Sequence, residues 1–168
     1  GSGAGGVVSC LALQADGKAL VGGSFTHYDG AGRNRIARVN ADGTPDTGFD
    51  PGSGANGTVM SLALQTDGKV LMGGWFTGYG GTARSYVARI DDEGDLDTDF
   101  DPGDGAQGLV FAVATLADGK ALVGGQFNRF DSMPYSHLAR ISADGSLDTA
   151  LVAGDGGNGG VSSLALQT

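Results

Sequence analysis

The stretch Val59-Met60-Ser61-Leu62-Ala63-Leu64-Gln65-Thr66-Asp67-Gly68-Lys69-Val70-Leu71-Met72-Gly73-Gly74 reads as a β-hairpin. Its first half alternates and is rich in residues that suit a pleated, half-buried surface. Asp67-Gly68 is a pair that favours positive backbone φ in a tight turn, and Val70 to Gly74 continues as the return strand. Beyond a polar, Gly-rich loop, Tyr86-Val87-Ala88-Arg89-Ile90 predicts a third strand and Asp92-Glu93-Gly94-Asp95 its turn. A short fourth strand is predicted from Leu96 to Phe100, ending at Asp101-Pro102-Gly103 because proline withdraws a ladder donor. Four strands therefore fill one unit.

The same unit recurs on both sides. Asp67-Gly68-Lys69 is matched by Asp16-Gly17-Lys18 and by Asp118-Gly119-Lys120, a period of 51 residues with no insertion or deletion. Gly22-Gly23, Gly73-Gly74 and Gly124-Gly125 align, each followed by Phe25, Phe76 or Phe127. Ala37-Arg38, Ala88-Arg89 and Ala139-Arg140 align, as do Asp46-Thr47, Asp97-Thr98 and Asp148-Thr149. The repeats are residues 1–51, 52–102 and 103–153. Residues 154–168 restart the pattern, with Val161-Ser162-Ser163-Leu164-Ala165-Leu166-Gln167 matching Val8-Ser9-Cys10-Leu11-Ala12-Leu13-Gln14. They predict the first strand of a partial fourth repeat.

A fixed period of this size means one supersecondary unit copied in tandem, each copy burying its apolar face against its neighbours. No stretch offers ten residues of helical periodicity, so the fold class is all-β. A β-solenoid coil uses about 20 to 30 residues, whereas a four-stranded propeller blade uses about 40 to 50, and the period favours the blade.

Composition narrows the function classes. The chain has 168 residues and a formal net charge of -9, which disfavours nucleic acid and anionic membrane surfaces as partners. No apolar run approaches the roughly 20 residues of a membrane span and no signal segment opens the chain, so a mature fragment or excised segment is expected. The 33 glycines keep no Gly-X-Y period and sit at repeated places, which reads as turn chemistry. All 19 acidic residues except Glu93 are Asp, mostly beside Gly, where the short side chain bonds its own backbone. The single cysteine, Cys10, holds a slot filled elsewhere by Ser61, Ala112 and Ser163, and is read as a small packing residue.

The phrase Ser-Leu-Ala-Leu-Gln-x-Asp-Gly-Lys-x-Leu-x-Gly-Gly-x-Phe, then Ala-Arg-x-x-x-Asp-Gly and Leu-Asp-Thr-x-Phe, resembles the tandem delta-sixty repeat of bacterial surface and secreted proteins. The resemblance covers essentially the whole chain. It implies a β-propeller domain of unknown function and an extracellular or cell-surface location, and it implies no activity. The third copy departs from the pattern, with Leu151-Val152-Ala153 in place of Phe-Asp-Pro.

Three blades are too few to close a ring of the usual four to eight. Completion is expected from a second chain in a two-fold, six-bladed ring, from an open filament, or from further blades of a longer chain. The surplus first strand has free N–H and C=O groups, so strand exchange at the ends is a further expectation.

Each candidate for chemistry in this sequence has a structural alternative. Gly1 to Gly6, Gly52 to Gly57, Gly103 to Gly108 and Gly154 to Gly159 each match Gly-x-Gly-x-x-Gly, but that motif needs a following helix and here a strand follows. They are read as linkers. Asp97, Asp99, Asp101 and Asp104 place hard oxygen ligands within a short loop suited to Ca²⁺, with Asx-type turns as the alternative. Arg38, Arg89 and Arg140 stand eight residues before Asp46, Asp97 and Asp148, which predicts a repeated hairpin ion pair. Trp75, with the aligned loop aromatics Tyr28, Tyr79 and Phe130, forms a candidate platform for a sugar face, with inter-blade packing as the alternative. His27 and His137 fall at non-equivalent positions, and no Ser or Cys sits in a base-coupled motif, so no catalytic residue is named. Asn56-Gly57-Thr58 is formally a glycosylation sequon, read as incidental.

The sequence thus predicts a non-enzymatic, secreted or cell-surface propeller module with a structural, adhesive or assembly role and no cofactor. A glycan- or small-ligand-binding propeller is the alternative. A third reading, a propeller enzyme using channel Asp and Arg, conflicts with their presence in every copy, because a catalytic set breaks repeat symmetry.

Overall fold

The alternating apolar segments and Asp-Gly turns become three antiparallel sheets in the computed structural model, which describes residues 1–151 and 158–166. The first sheet orders β1 (Val8–Leu13), β2 (Ala19–Gly23) and β5 (Ile36–Val39). Between β2 and β5 lies a small ribbon of β3 (His27–Tyr28) and β4 (Ala31–Gly32). The second unit repeats this with β6 (Thr58–Leu64), β7 (Val70–Trp75) and β10 (Val87–Ile90), plus the ribbon of β8 (Gly78–Tyr79) and β9 (Thr82–Ala83). In the third, β11 (Ala106–Thr115) and β12 (Ala121–Phe130) run on as longer strands, and β13 (Leu138–Ile141) closes the sheet. All described elements are strands.

Each hairpin turn is built alike. Asp67 Oδ1 accepts the Lys69 amide, the Gly68 amide donates to the Gln65 carbonyl, and Gly68 adopts φ 87°. Asp16-Gly17-Lys18 and Asp118-Gly119-Lys120 do the same. An Asx-type bond together with a left-handed glycine is why this dipeptide recurs.

The four-stranded unit needs correction. Leu96 contributes one isolated bridge to Ile90, as Pro45 does to Val39 and Leu147 to Ile141, so three strands and a bridge make each sheet. The chain leaves the extended state because Asp97 Oδ1 accepts the Asp99 amide and the Phe100 amide returns to the Asp97 carbonyl. A side chain that bonds its own backbone competes with the ladder.

The core lies largely between units. Leu20, Ile36 and Phe49 of the first unit pack in one buried cluster with Val59, Met72 and Ile90 of the second. Leu71, Val87 and Phe100 of the second join Val110, Val123 and Ile141 of the third. The paired glycines make this approach possible. A Cβ on Gly22 would stand 2.8 Å from Val59 Cγ1, and one on Gly73 would stand 2.9 Å from Val113 Cγ1, so each is a notch for the next unit's first strand. The second glycine faces backbone of its own sheet, where a Cβ on Gly74 would run into the Thr58 carbonyl. Register shifts at Val8/Cys10, Val59/Ser61 and Val110/Ala112 accompany this crossing.

Arg35, Tyr86 and His137 occupy one repeat position with φ near 66° to 67°. Each donates its amide to a Phe carbonyl and accepts a glycine amide, so two backbone bonds hold a conformation that costs a non-glycine residue on the order of 1 kcal/mol.

The predicted first strand of the fourth repeat is not a strand. Residues 161–166 run past β12 with the Val161 amide bonded to the Gly125 carbonyl at 3.1 Å, and among the described residues no second strand lies beside them. The linker Gly154 to Gly159 lies largely outside the described residues, as do Val152-Ala153 and Gln167-Thr168.

Candidate functional site

The repeated Arg and Asp meet as predicted, and a lysine joins them. Arg38 Nε lies 2.7 Å and Lys18 Nζ 2.9 Å from Asp46 Oδ2. Arg89 and Lys69 hold Asp97 at 2.7 and 2.8 Å, and Arg140 and Lys120 both hold Asp148 at 2.8 Å. The lysine is the one in each Asp-Gly-Lys turn. Its constant spacing of 28 residues from the Asp was the signal available in the sequence.

The other carboxylate oxygen is also occupied, accepting the amides of Gly48, Asp99 and Ala150 respectively. Bonds from Lys18 and Gly48, with Arg38, hold the Asp46 carboxyl well below the usual carboxylate range. Lys120, the Ala150 amide and Arg140 hold Asp148 down to about 2. Burial pushes Asp97 upward, but Lys69 and Arg89 outweigh it and its pKa is lowered. A carboxylate so engaged is too weak a base to take a proton near neutral pH, and both of its oxygens are already bonded.

Two of the three arginines also reach outward. Arg38 Nη1 donates to the Asp92 carbonyl and Arg89 Nη1 to the Ala143 carbonyl, both in the turn of the following unit. The guanidinium stacks over the ring of Phe49 at 5.3 Å and of Phe100 at 4.6 Å. Arg140 has Leu151 where the others have Phe, and among the described residues no following turn meets it.

The candidate ligand aromatics part company. Tyr79 is buried and its hydroxyl donates to the Gly94 carbonyl at 2.7 Å, with burial and then Asp95, Asp91 and Asp50 raising its pKa. Phe130 is buried edge-on to Phe127, with centroids 6.2 Å apart. Tyr28 is half-buried against the first unit's core and bridges to Ala4. Tyr79 and Phe130 are thus withdrawn from solvent and Tyr28 partly so, because the equivalent loop of each unit folds back onto its sheet. Trp75 faces solvent, at 60% exposure, beside a shallow cavity of about 380 Å³ lined by Asn56, Thr58 and Thr77. Asn56 is already committed, accepting the Thr77 and Gly78 amides and donating to Thr77 Oγ1.

The four acidic candidates do not converge either. Asp101 Oδ1 accepts the Gly103 amide within its own turn, and Asp104 Oδ2 accepts the Ser132 hydroxyl from a loop 28 residues away. Among the described residues the acidic oxygens that approach one another belong to Asp91, Asp92 and Glu93, where Asp91 Oδ1 accepts the amides of Glu93, Gly94 and Asp95. Cys10 is half-buried, and burial outweighs the Gly22 amide in pushing its thiol up to about 12, which suits a packing residue. His27 is exposed and His137 sits at the left-handed position before β13.

A cavity of about 750 Å³ opens along the seam between the second and third units, beside Leu64, Gln65, Arg89, Leu116 and Ala143.

The clearest break in the repeat is a face. Val59 and Val110, which enter the glycine notches, are both fully buried, whereas their counterpart Val8 is 42% exposed. Leu11 and Leu13 are 64% and 76% exposed, although Leu62 and Leu64 pack against the buried cluster shared by the first and second units and Val113 is buried. The first unit therefore shows solvent the side that every later unit buries.

A family model described as "Domain of unknown function (DUF5122) beta-propeller" matches residues 14–49, 65–100 and 116–150. No curated protein matches the chain.

Proposed function

Because the chain belongs to this β-propeller domain family of unknown function, we propose that it is a non-enzymatic repeat module whose task is assembly, its first blade docking a further blade of the same kind. The observation that carries this reading is the exposure of Val8, Leu11 and Leu13 where the equivalent residues of the second and third blades lie against a neighbour. An apolar patch of repeat character is an interface waiting for its mate. The completed assembly is a two-chain, six-bladed ring, a filament, or a longer propeller to which these blades contribute.

The engagement of Asp46, Asp97 and Asp148 by Arg and Lys supports the non-enzymatic part of the reading, since these charges are spent on holding blades. A secreted or cell-surface site with an adhesive or structural duty follows from the resemblance of the repeat phrase, and labelling of intact cells tests it. Absence of labelled protein at the surface and in the medium overturns that placement.

Sedimentation equilibrium over a wide concentration range tests assembly. The expected result is a mass that rises above one chain with concentration. A single-chain mass at every concentration overturns the reading.

One observation favours a second reading. Trp75 offers an exposed ring beside a shallow cavity, the arrangement that stacks on a sugar face. Glycan-array binding that is lost in Trp75→Ala supports it, and binding to no glycan removes it.

A further inference from the structure

We propose that the second blade carries a two-seat groove for a neutral, linear oligosaccharide, with the Trp75 ring as one seat and the glycine-rich ribbon of β8 and β9 as the next. This inference rests on the sugar-stacking reading of Trp75 above and names its ligand class and a second subsite.

The groove consists of two cavities with a shared wall. The one beside Trp75 is lined by Asn56, Thr58 and Thr77. A second, also of about 380 Å³, is lined by Ser53, Gly78, Gly81 and Thr82 and shares Asn56 and Thr77 with the first. That shared pair is locked in place. Asn56 Oδ1 accepts the amides of Thr77 and Gly78, and Asn56 Nδ2 donates to Thr77 Oγ1 at 3.0 Å. Asn56 then keeps a second Nδ2 hydrogen, and Thr77 its hydroxyl hydrogen, to donate to a ligand. A ridge fixed before binding loses little freedom on binding.

The second blade opens this groove by departing from its neighbours. Gly5 and His27 of the first blade stand where Asn56 and Gly78 stand in the second. A Cβ on Gly5 would run into the His27 imidazole, so in the first blade that ring fills the space that the Asn56 side chain enters here. Moving the side chain to the other partner leaves Gly78 bare. A Cβ on it would have the Thr82 carbonyl at 3.1 Å and Asn56 Nδ2 at 3.4 Å as its nearest neighbours. The third blade has Gln107 and Arg129 at these two places. Thr58 replaces Val7 and Leu109, Thr82 replaces Ala31 and Met133, and Trp75 replaces Ser24 and Gln126. Asn56, Trp75 and Thr82 are exposed, so the core does not dictate them. Residues that break the repeat and gather around one opening are the mark of a site rather than of packing.

The lining selects the ligand. The Trp75 ring supplies an apolar face, and the hydroxyls of Ser53, Thr58 and Thr82 both donate and accept, which matches the C–H face and hydroxyl rim of a sugar. The residues lining both cavities are uncharged. A uronic acid or sulfate would leave water without a counter-charge and would approach a chain of net charge -9. The sugar is therefore neutral. A Cβ on Gly81 would meet nothing within 4 Å, so the ribbon is open above that glycine and a second sugar ring can lie on bare backbone. Seats on either side of one ridge take consecutive units of a linear chain.

The test is isothermal titration of the full chain with neutral gluco-, manno-, xylo- and N-acetylglucosamine oligosaccharides, from monosaccharide to hexasaccharide, with oligogalacturonides as the charged arm. At least one neutral series is expected to bind, gaining about tenfold in affinity from monosaccharide to disaccharide, and the oligogalacturonides are expected not to bind. Trp75→Ala is expected to abolish binding at every length. Gly78→His, which installs the first blade's residue, is expected to erase the gain with length. Thr82→Ala, a truncation at an exposed position, is expected to reduce it. Thermal unfolding verifies that each variant is folded. If a neutral series binds through Trp75 but gains nothing with length, or keeps its gain in both folded variants, the second seat is overturned while the Trp75 platform stands. Oligogalacturonides that bind as tightly as the neutral series overturn the ligand class. If no oligosaccharide binds the unaltered chain, this inference and the sugar reading fall together.

Discussion

Arg89 on β10 donates through Nη1 to the carbonyl of Ala143, 54 residues further along the chain in the turn of the next blade. The same guanidinium holds Asp97 through Nε and covers the Phe100 ring. One side chain thereby ties its own strand, its own closing turn and the neighbouring blade. Arg38 makes the matching bond to the Asp92 carbonyl. In an array whose units touch only their neighbours, stability is a sum of units and interfaces, and this arginine contributes to both.

Arg89→Ala is expected to cost about 2 kcal/mol, under the ~3–5 kcal/mol of stranding a buried charge because Lys69 still faces Asp97. Arg140→Ala is expected to cost less, since its side chain is 24% exposed against 8% for Arg89 and it makes no described bond to a following blade. Urea unfolding of the two variants measures this order. Equal losses overturn the account of the arginine as an inter-blade clasp.

Gly73→Ala places a methyl group against Val110 and Val113 in the notch between the second and third blades. Overpacking of that kind costs about 1–3 kcal/mol. Gly68→Ala is destabilising for another reason, the positive φ of 87° with open space around it, so its loss is about 1 kcal/mol. Thermal midpoints distinguish them when Gly73→Ala is combined with Val110→Ala. Partial recovery is expected for the notch, and absence of recovery removes the steric explanation.

Much of this architecture was legible because the signals were local. Asp16-Gly17, Asp67-Gly68 and Asp118-Gly119 announce their turns, and the alternation before them announces the strands. The predicted Arg–Asp pair was legible from a constant spacing. The failed fourth strand was not, since Leu96 and Phe100 suggest a short apolar-ended strand and the Asp97 side chain between them, bonding its own backbone, turns the chain out of the ladder. The left-handed position was hidden as well, because Arg35, Tyr86 and His137 share no chemistry and φ there is set by two backbone bonds from outside the segment. Burial of Tyr79 and Phe130 depended on the loop folding back, which composition does not encode.

Calcium is expected to leave the melting temperature unchanged. Asp97 gives Oδ2 to Lys69 and Arg89 and Oδ1 to the Asp99 amide, so a cation would have to displace two positive charges. A ligand that binds only the folded state raises the midpoint by mass action. Scanning calorimetry with calcium and with chelator decides, and a midpoint that rises with calcium refutes the structural reading of these aspartates.

Trp75→Ala is expected to change the thermal midpoint little, because the ring is largely exposed and surface substitutions fall within about 0.5 kcal/mol. Phe76→Ala, one residue further along and buried, is expected to cost about 3–5 kcal/mol. A large loss at Trp75 would show that the ring supports the blade rather than facing a partner.

Acid should unfold the chain through the same carboxylates that hold the blades. Asp46, Asp97 and Asp148 all have pKa values lowered from the ordinary 3.8, the last to about 2. A carboxylate with a lower pKa in the folded state binds fewer protons there than in the unfolded chain, so stability rises with pH across that interval. The contribution is complete above the ordinary value and disappears as pH falls through the folded value. The thermal midpoint is therefore expected to be nearly flat in this respect down to about pH 5 and to fall steeply between about pH 4 and about pH 2. Asp148→Asn removes one titrating group, and its midpoint should start lower but fall less over the acid range. An unchanged acid slope in Asp148→Asn would mean that protons act elsewhere, and the three-blade charge clasp would lose its claim to control acid stability.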